Sequence, residues 1–258
     1  MSDIPHIFDD RLRRVRRARA AAGFGAFAFL AEAAAGELSE RIALLDCDFP
    51  RAVCMGARAP RIGACWRGDV EPSQADVVCE EGRLAFGAQT LDLYASVLTL
   101  HAVNDLPGAL LQIRRCLKPG GVFVAALFGG ETLRELRACL AQAEIEIDGG
   151  LSPRVAPFAD VRDAGGLLQR AGFGEPVADI ETIAVAYEHP LKLLADLRGM
   201  GETNVLVERR CSFLKRAVVA RTCEIYFERF RDASGRVTAT YQILYLTGRA
   251  PGAADFPA

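Results

Sequence analysis

The chain has 258 residues, which fit one large domain or one domain with an appended lobe. Lys+Arg 31 against Asp+Glu 33 leaves a formal charge of −2, and 51% of the residues are hydrophobic. This composition excludes a disordered chain, a collagen-like repeat and a strongly basic nucleic-acid binder.

The first marked feature is a charge run: six of the nine residues from Arg11 to Arg19 are arginine. Ile7, Phe8, Leu12 and Val15 follow helical spacing, so the spacing predicts an amphipathic N-terminal arm over residues 1–30 with a basic face. Arg13, Arg16 and Arg17 are its candidate contacts, either to an acidic protein partner or to a membrane surface, with self-neutralisation inside the domain as the plainer reading. Asp3, Asp9 and Asp10 argue against a transit peptide, and no apolar run reaches the ~20 residues of a membrane span. The expected location is the cytoplasm, with peripheral contact at the inner membrane as a second setting. The eight cysteines form no C-x-x-C pair and the three histidines are scattered, so no metal site is expected.

Beyond the arm, an alanine-rich helical pattern runs from Ala20 to Leu45. Short β runs follow at Arg51–Met55, Ala75–Cys79 and Leu91–Leu98, then a helix from Leu106 to Arg115. Lys118-Pro119-Gly120-Gly121 turns the chain into a strand at Val122–Leu127. Glu131–Ala143 and Val161–Ala171 read as helices around a Gly/Pro loop at 149–160. Pro176–Tyr187 reads as a strand, Leu191–Gly199 as a short helix and Arg209–Arg231 as a long one. Val237–Gly248 closes the chain as a strand after the turn at Asp232–Gly235. Strands alternating with helices imply an α/β fold with a largely parallel sheet, here expected as one domain over residues 31–258.

Leu98-Thr99-Leu100-His101-Ala102-Val103-Asn104-Asp105-Leu106-Pro107 and Leu117-Lys118-Pro119-Gly120-Gly121 resemble class I S-adenosylmethionine (SAM)-dependent methyltransferases. Ile7-Phe8-Asp9, Phe128-Gly129-Gly130-Glu131-Thr132-Leu133, Ser152-Pro153, Ala156-Pro157-Phe158, Gly199-Met200-Gly201-Glu202-Thr203-Asn204 and Ala239-Thr240-Tyr241-Gln242-Ile243 narrow the resemblance. In their shared order they resemble the branch of the mitochondrial complex I assembly factor that hydroxylates an arginine, together with its bacterial relatives. The malonyl carrier-protein methyltransferases resemble the chain more distantly. The resemblance implies a Rossmann-like sheet with an antiparallel last strand, SAM as cofactor, and a protein partner such as a respiratory complex I subunit or another assembly protein.

The pattern breaks at the cofactor loop. Family members read roughly Leu-Asp-Leu-Gly-Cys-Gly-Thr-Gly, whereas this chain reads Val53-Cys54-Met55-Gly56-Ala57-Arg58-Ala59-Pro60. Only Gly56 survives, Arg58 puts a bulky cation where a glycine belongs, and Pro60 fixes φ. Between Gly56 and Ala75 lie 18 residues, too few for a strand and two helical crossovers, since one parallel crossover takes a dozen or more. The helices flanking the second strand are therefore expected to be lost or reduced to turns. Ile62–Trp66 is the candidate second strand, with Asp69 as its terminal carboxylate.

Carried over residue by residue, the resemblance makes Gly56, Asp69, Glu80 and Ser96 the cofactor-binding candidates: Asp69 for ribose, Glu80 for adenine, Ser96 near the methionine end. Arg67-Gly68-Asp69 reads equally as an exposed turn. His101, after the fourth strand, is the candidate for acid–base work, with a structural junction histidine as the alternative. Asn104 and Asp105 are candidate helix caps, and Glu202 and Asn204 candidate substrate or partner contacts. Three functions follow: a SAM-dependent modification of a protein, arginine hydroxylation implied only by the relative, and a non-catalytic assembly or scaffold protein that has lost SAM binding. The eroded loop favours the last, a pseudo-enzyme.

Overall fold

The computed structural model describes residues 6–45, 47–56 and 65–252. Ala57, Arg58, Ala59 and Pro60 lie outside the described residues, as do Ile62, Gly63 and Ala64 of the expected second strand.

Seven strands form one sheet: β1 (Ala52–Met55), β2 (Trp66–Asp69), β3 (Val77–Val78), β4 (Leu91–Val97), β5 (Leu117–Phe128), β6 (Gly174–Tyr187) and β7 (Val237–Arg249). Their order is β3-β2-β1-β4-β5-β7-β6. β1 to β5 pair in parallel, and β7 runs antiparallel to both β5 and β6. This is the class I methyltransferase order, with the switch in strand direction of progress between β1 and β4. The second strand begins at Trp66, later than the sequence suggested, and Asp69 ends it. A single 3-10 turn, Pro72–Gln74, joins β2 to β3, and ten residues separate Met55 from Trp66. Between β2 and β3 the expected helix is reduced to this turn.

Alternation along β4 sets two cores, because successive side chains leave opposite faces of a strand. Leu93, Ala95 and Val97 pack toward α2 (Phe29–Ala43), α4 (Arg134–Asp148) and α7 (Arg216–Phe230) through Leu30, Leu38, Leu136, Cys139, Ile225 and Tyr226. Tyr94 packs on the other face with Leu110 and Ile113 of α3 (Leu106–Cys116) and Leu168 of α5 (Val161–Arg170). Such fully buried aliphatic and aromatic side chains each contribute roughly 1.5–3 kcal/mol.

Several boundaries differ from the sequence reading; β5, for one, begins at Leu117 and runs through the expected Lys118–Gly121 turn. The expected continuous helix from Ala20 is split by a 3-10 turn at Phe24–Phe27, next to Gly23 and Gly25, before α2 begins. Helix α4 starts at Arg134 rather than Glu131, because Leu133 takes a left-handed conformation and donates its N–H to Thr240 O of β7. Helix α7 starts at Arg216 rather than Arg209: Arg209 is drawn to Asp9, while Arg210 and Lys215 both pair with Asp148.

The N-terminal helix α1 (Asp10–Ala21) opens on Asp9, which accepts from Leu12 N–H as an N-cap. Its buried residues are Arg13, Arg17 and Ala20, and Phe8 before it is 5% exposed. Pairing of Arg14 and Arg17 with Glu80, Asp69 and Glu202 of the same chain follows the plainer reading, self-neutralisation inside the domain, and corrects the expectation that the arm stands apart from the core. Two of the arginines expected to face a partner point into the domain instead.

Candidate functional site

The site lies at the carboxyl ends of β1 and β4, where an open α/β sheet leaves a crevice. Gly56 follows β1 with φ +80, and a Cβ there would fall 2.3 Å from the Val97 carbonyl oxygen. Both facts demand glycine, which explains why this one member of the loop pattern persists. At the end of β4, Ser96 is fully buried and its hydroxyl sits 2.9 Å from that of Thr99. Between them Leu98 adopts φ 49, a strained conformation for a branched side chain.

Helix α1 lies across this crevice. Arg17 Nη2 is 3.4 Å from Asp69 Oδ2, and its Nη1 is 3.9 Å from Glu202 Oε1. Arg14 pairs with Glu80. Both carboxylates expected to meet the nucleotide are thus engaged by arginines of the same chain. The entry to α1 is stapled from two sides. Asn104 Oδ1 accepts the N–H groups of Ile7 and Phe8 at 2.8 Å each, while its Nδ2 donates to Phe8 O at 3.0 Å. From the other side, Asp9 N–H donates to Val205 O and Val207 N–H to Ile7 O.

What is left of the crevice is small. A void of about 30 Å³ lies among Arg17, Phe24, Phe27, Gly56 and Leu98, and one of about 20 Å³ among Arg13, Asp69, Glu80 and Glu81. Each has room for about one water, whereas small-molecule pockets run to about 300–1,000 Å³.

The charges inside are incompletely matched. Among the described residues, Arg13 Nε, Arg17 Nε and Glu81 Oε2 are buried without a hydrogen-bond partner. Burial pushes the Glu81 carboxyl above its ordinary range, against the opposing pull of the Ser96 and Thr99 hydroxyls and the Arg13 charge. Tyr94 Oη donates to Glu81 Oε1 at 3.3 Å. Glu202 goes the other way: burial raises it, but His101 and the charges of Arg17 and Arg13 outweigh that and hold it below the usual carboxylate range.

Glu202 reaches the site because helix α6 (Pro190–Met200) ends in a left-handed Gly201, φ +78, so that Gly201 N–H and Glu202 N–H bond back to Arg198 O and Leu197 O. A Cβ at Gly199 would strike the Phe27 ring at 2.3 Å, so that glycine lets the 3-10 turn pack on α6. His101 Nε2 is 3.3 Å from Glu202 Oε2, and its ring lies 4.7 Å from Phe128 and 5.7 Å from Phe158, centroid to centroid. Its Nδ1 has no hydrogen-bond partner among the described residues. The pair orients an imidazole as a general base would be oriented. It borders a larger cavity of about 290 Å³ whose wall includes Phe128, Leu136, Leu197, Tyr241 and Arg16.

Of the sequence candidates, Gly56, Asp69, Ser96, His101 and Glu202 gather around α1. Asp69 is 3% exposed, which removes the exposed-turn reading. Glu80 is at the rim with Arg14. Asn204 borders the cavity but spends its side chain on Pro153 O and Leu206 N–H. Arg16 reaches Thr203. Asp105 caps α3 as expected, accepting from Gly108 N–H at 2.8 Å, but Asn104 binds the arm rather than the helix. The sequence reading missed Glu81 and Thr99. The Glu80-Glu81 pair was visible; what distinguishes its members is the alternation that turns Glu81 toward Tyr94. Among the described residues no group of three His, Cys, Asp or Glu is arranged to hold a metal ion, and no helix is long and apolar enough to cross a membrane.

Residues 20–125 match the family model of a methyltransferase domain. The chain is 38% identical over 242 residues to the mitochondrial arginine-hydroxylase NDUFAF5 of Homo sapiens, covering 86% of this chain and 70% of that protein. It is 33% identical over 162 residues to the malonyl-[acyl-carrier protein] O-methyltransferase of Xylella fastidiosa, covering 63% of this chain and 52% of that enzyme. Among solved structures, a SAM-dependent methyltransferase of Thermotoga maritima superposes with a TM-score of 0.53 at 13% identity, over 92% of this chain and 99% of that one.

Proposed function

Because the chain belongs to the arginine-hydroxylase NDUFAF5 family, within the class I methyltransferase superfamily, we propose that it acts on or binds a protein partner of the respiratory complex I assembly type, and that with α1 docked it works without SAM. One observation carries this reading: Arg17 and Arg14 of α1 pair with Asp69 and Glu80, the two carboxylates that the family resemblance assigns to the nucleotide. The degenerate loop after Gly56 supports it from the sequence. In this reading the fold is kept as a scaffold, since a superfamily fold does not fix the chemistry of its site.

Titration calorimetry of the purified full-length protein with SAM and with S-adenosylhomocysteine tests the proposal. The expected result is no saturable heat, meaning a Kd weaker than about 1 mM. Micromolar affinity, or SAM carried through purification, overturns it.

The unpartnered Nε atoms of Arg13 and Arg17 and the unpartnered Glu81 Oε2 favour a second reading, in which α1 is a poorly fitted and displaceable occupant and SAM enters once it leaves. Asn104→Ala, which removes the clamp on Ile7 and Phe8, separates the two: binding that emerges only in this variant selects the second reading.

A further inference from the structure

The larger cavity lies between α1, α4, α6 and the 154–158 loop, and nothing in the cofactor argument uses it. Its volume of about 290 Å³ is at the lower end of the range for small-molecule pockets. The wall is chiefly apolar, with Leu133, Leu136 and Leu140 from α4 and its entry, Leu194 and Leu197 from α6, and Phe158 from the loop. Apolar walls alone would suit any hydrocarbon.

The polar groups narrow the choice. Three guanidinium groups border the cavity: Arg16, Arg154 and Arg198. Arg154 is spent on the buried Glu144. Arg16 donates to the neutral Thr203 hydroxyl, and among the described residues neither it nor Arg198 forms a salt bridge. Burial makes Arg16 less basic than usual, and Arg209, Arg19 and Arg198 add to this by repulsion, with Asp9 opposing them. The one carboxylate in the wall, Glu202, is already shared by His101 and Arg17. The cavity therefore has an apolar body and an uncompensated cationic mouth. A carboxylate placed at Arg16 and Arg198 would relieve their repulsion and satisfy their donors, and guanidinium suits carboxylate geometry.

We propose that this cavity binds a medium-chain amphipathic anion, with its carboxylate at Arg16 and Arg198 and its hydrocarbon chain along Leu133, Leu136, Leu140 and Leu197. The site borders the α1-filled crevice, sharing Glu202 and Phe128 with it, and it needs α1 docked, because Arg16 belongs to that helix.

The test is calorimetric titration of the full-length protein with decanoate, 1-decanol and decyltrimethylammonium, each below its micellar concentration. Decanoate should bind at least tenfold more tightly than decanol, and the cation should not bind. The Arg16→Gln/Arg198→Gln double variant should lose that preference while keeping weak decanol binding. Ala156→Trp, a loop substitution into the cavity wall, should abolish both. Equal affinity for decanoate and decanol, no binding of either, a preference that survives the double variant, or binding untouched by Ala156→Trp would each overturn the proposal.

Discussion

Glu81 and Tyr94 share a buried contact in which one carboxylate oxygen is left without a partner. Burial raises the Glu81 pKa, so the folded state holds that proton more tightly than the unfolded chain does. Its contribution to stability is complete below the ordinary carboxylate range and is lost as pH rises through the elevated folded value. Glu81→Gln should therefore melt above the wild-type protein near pH 8, by about 2–4 °C for each kcal/mol recovered. The difference should vanish by about pH 3, where the carboxyl is protonated in both states of the wild type. Calorimetric melting at the two pH values checks this; an equal offset at both would assign the effect to packing rather than charge. His101 and Glu202 illustrate the opposite arrangement, in which a nearby imidazole and two guanidinium groups make a buried carboxylate easier to ionise.

Helix α1 is the element that sequence reading placed least well. Its apolar residues, Ile7, Phe8, Leu12 and Val15, suggested one inward face, yet Ile7 and Val15 are among the exposed large hydrophobics while Arg13 and Arg17 are buried. The partners that reverse the expected orientation are remote: Asp69 lies 52 residues beyond Arg17. No local periodicity contains that information. The strands were legible because β4 and β5 are near-continuous apolar runs bounded by turn residues, and the shortened β2 region was legible because residue counting limits crossovers. The Gly199–Asn204 segment was legible as important but not as the left-handed helix end that brings Glu202 to His101. Docking of α1 has an energetic consequence. Deleting residues 1–19 removes Phe8, Arg13 and Arg17 and leaves Asp69 without its counter-charge. The truncated chain should melt roughly 4–8 °C lower, for a loss of about 2 kcal/mol. An unchanged midpoint in differential scanning calorimetry would mean that α1 rests on the domain without holding it.

Across the whole molecule the sheet is anchored unevenly. β7 is paired along nearly its full length by β6 and over Ile243–Arg249 by β5, whereas β2 and β3 meet only at Gly68–Val77 and Asp69–Val78. Native-state hydrogen exchange should accordingly find the slowest amides in β4, β5 and β7, and early opening in β2 and β3. Uniform protection across the sheet would contradict this division. The fraying edge carries Asp69, so closure of the crevice by α1 and ordering of that edge support each other. Chain order adds a timing to this arrangement. Arg17 and Glu202 are 185 residues apart, which at about 5–20 residues per second of synthesis separates them by roughly 10–40 s on the ribosome. Throughout that interval the arginines of α1 exist without the carboxylate that completes their seat, so the nascent chain passes through a stage in which its amino-terminal charge is available to whatever polyanion or acidic surface stands at the exit tunnel. Completion of the helix's seat therefore has to wait until the 199–204 loop has been made.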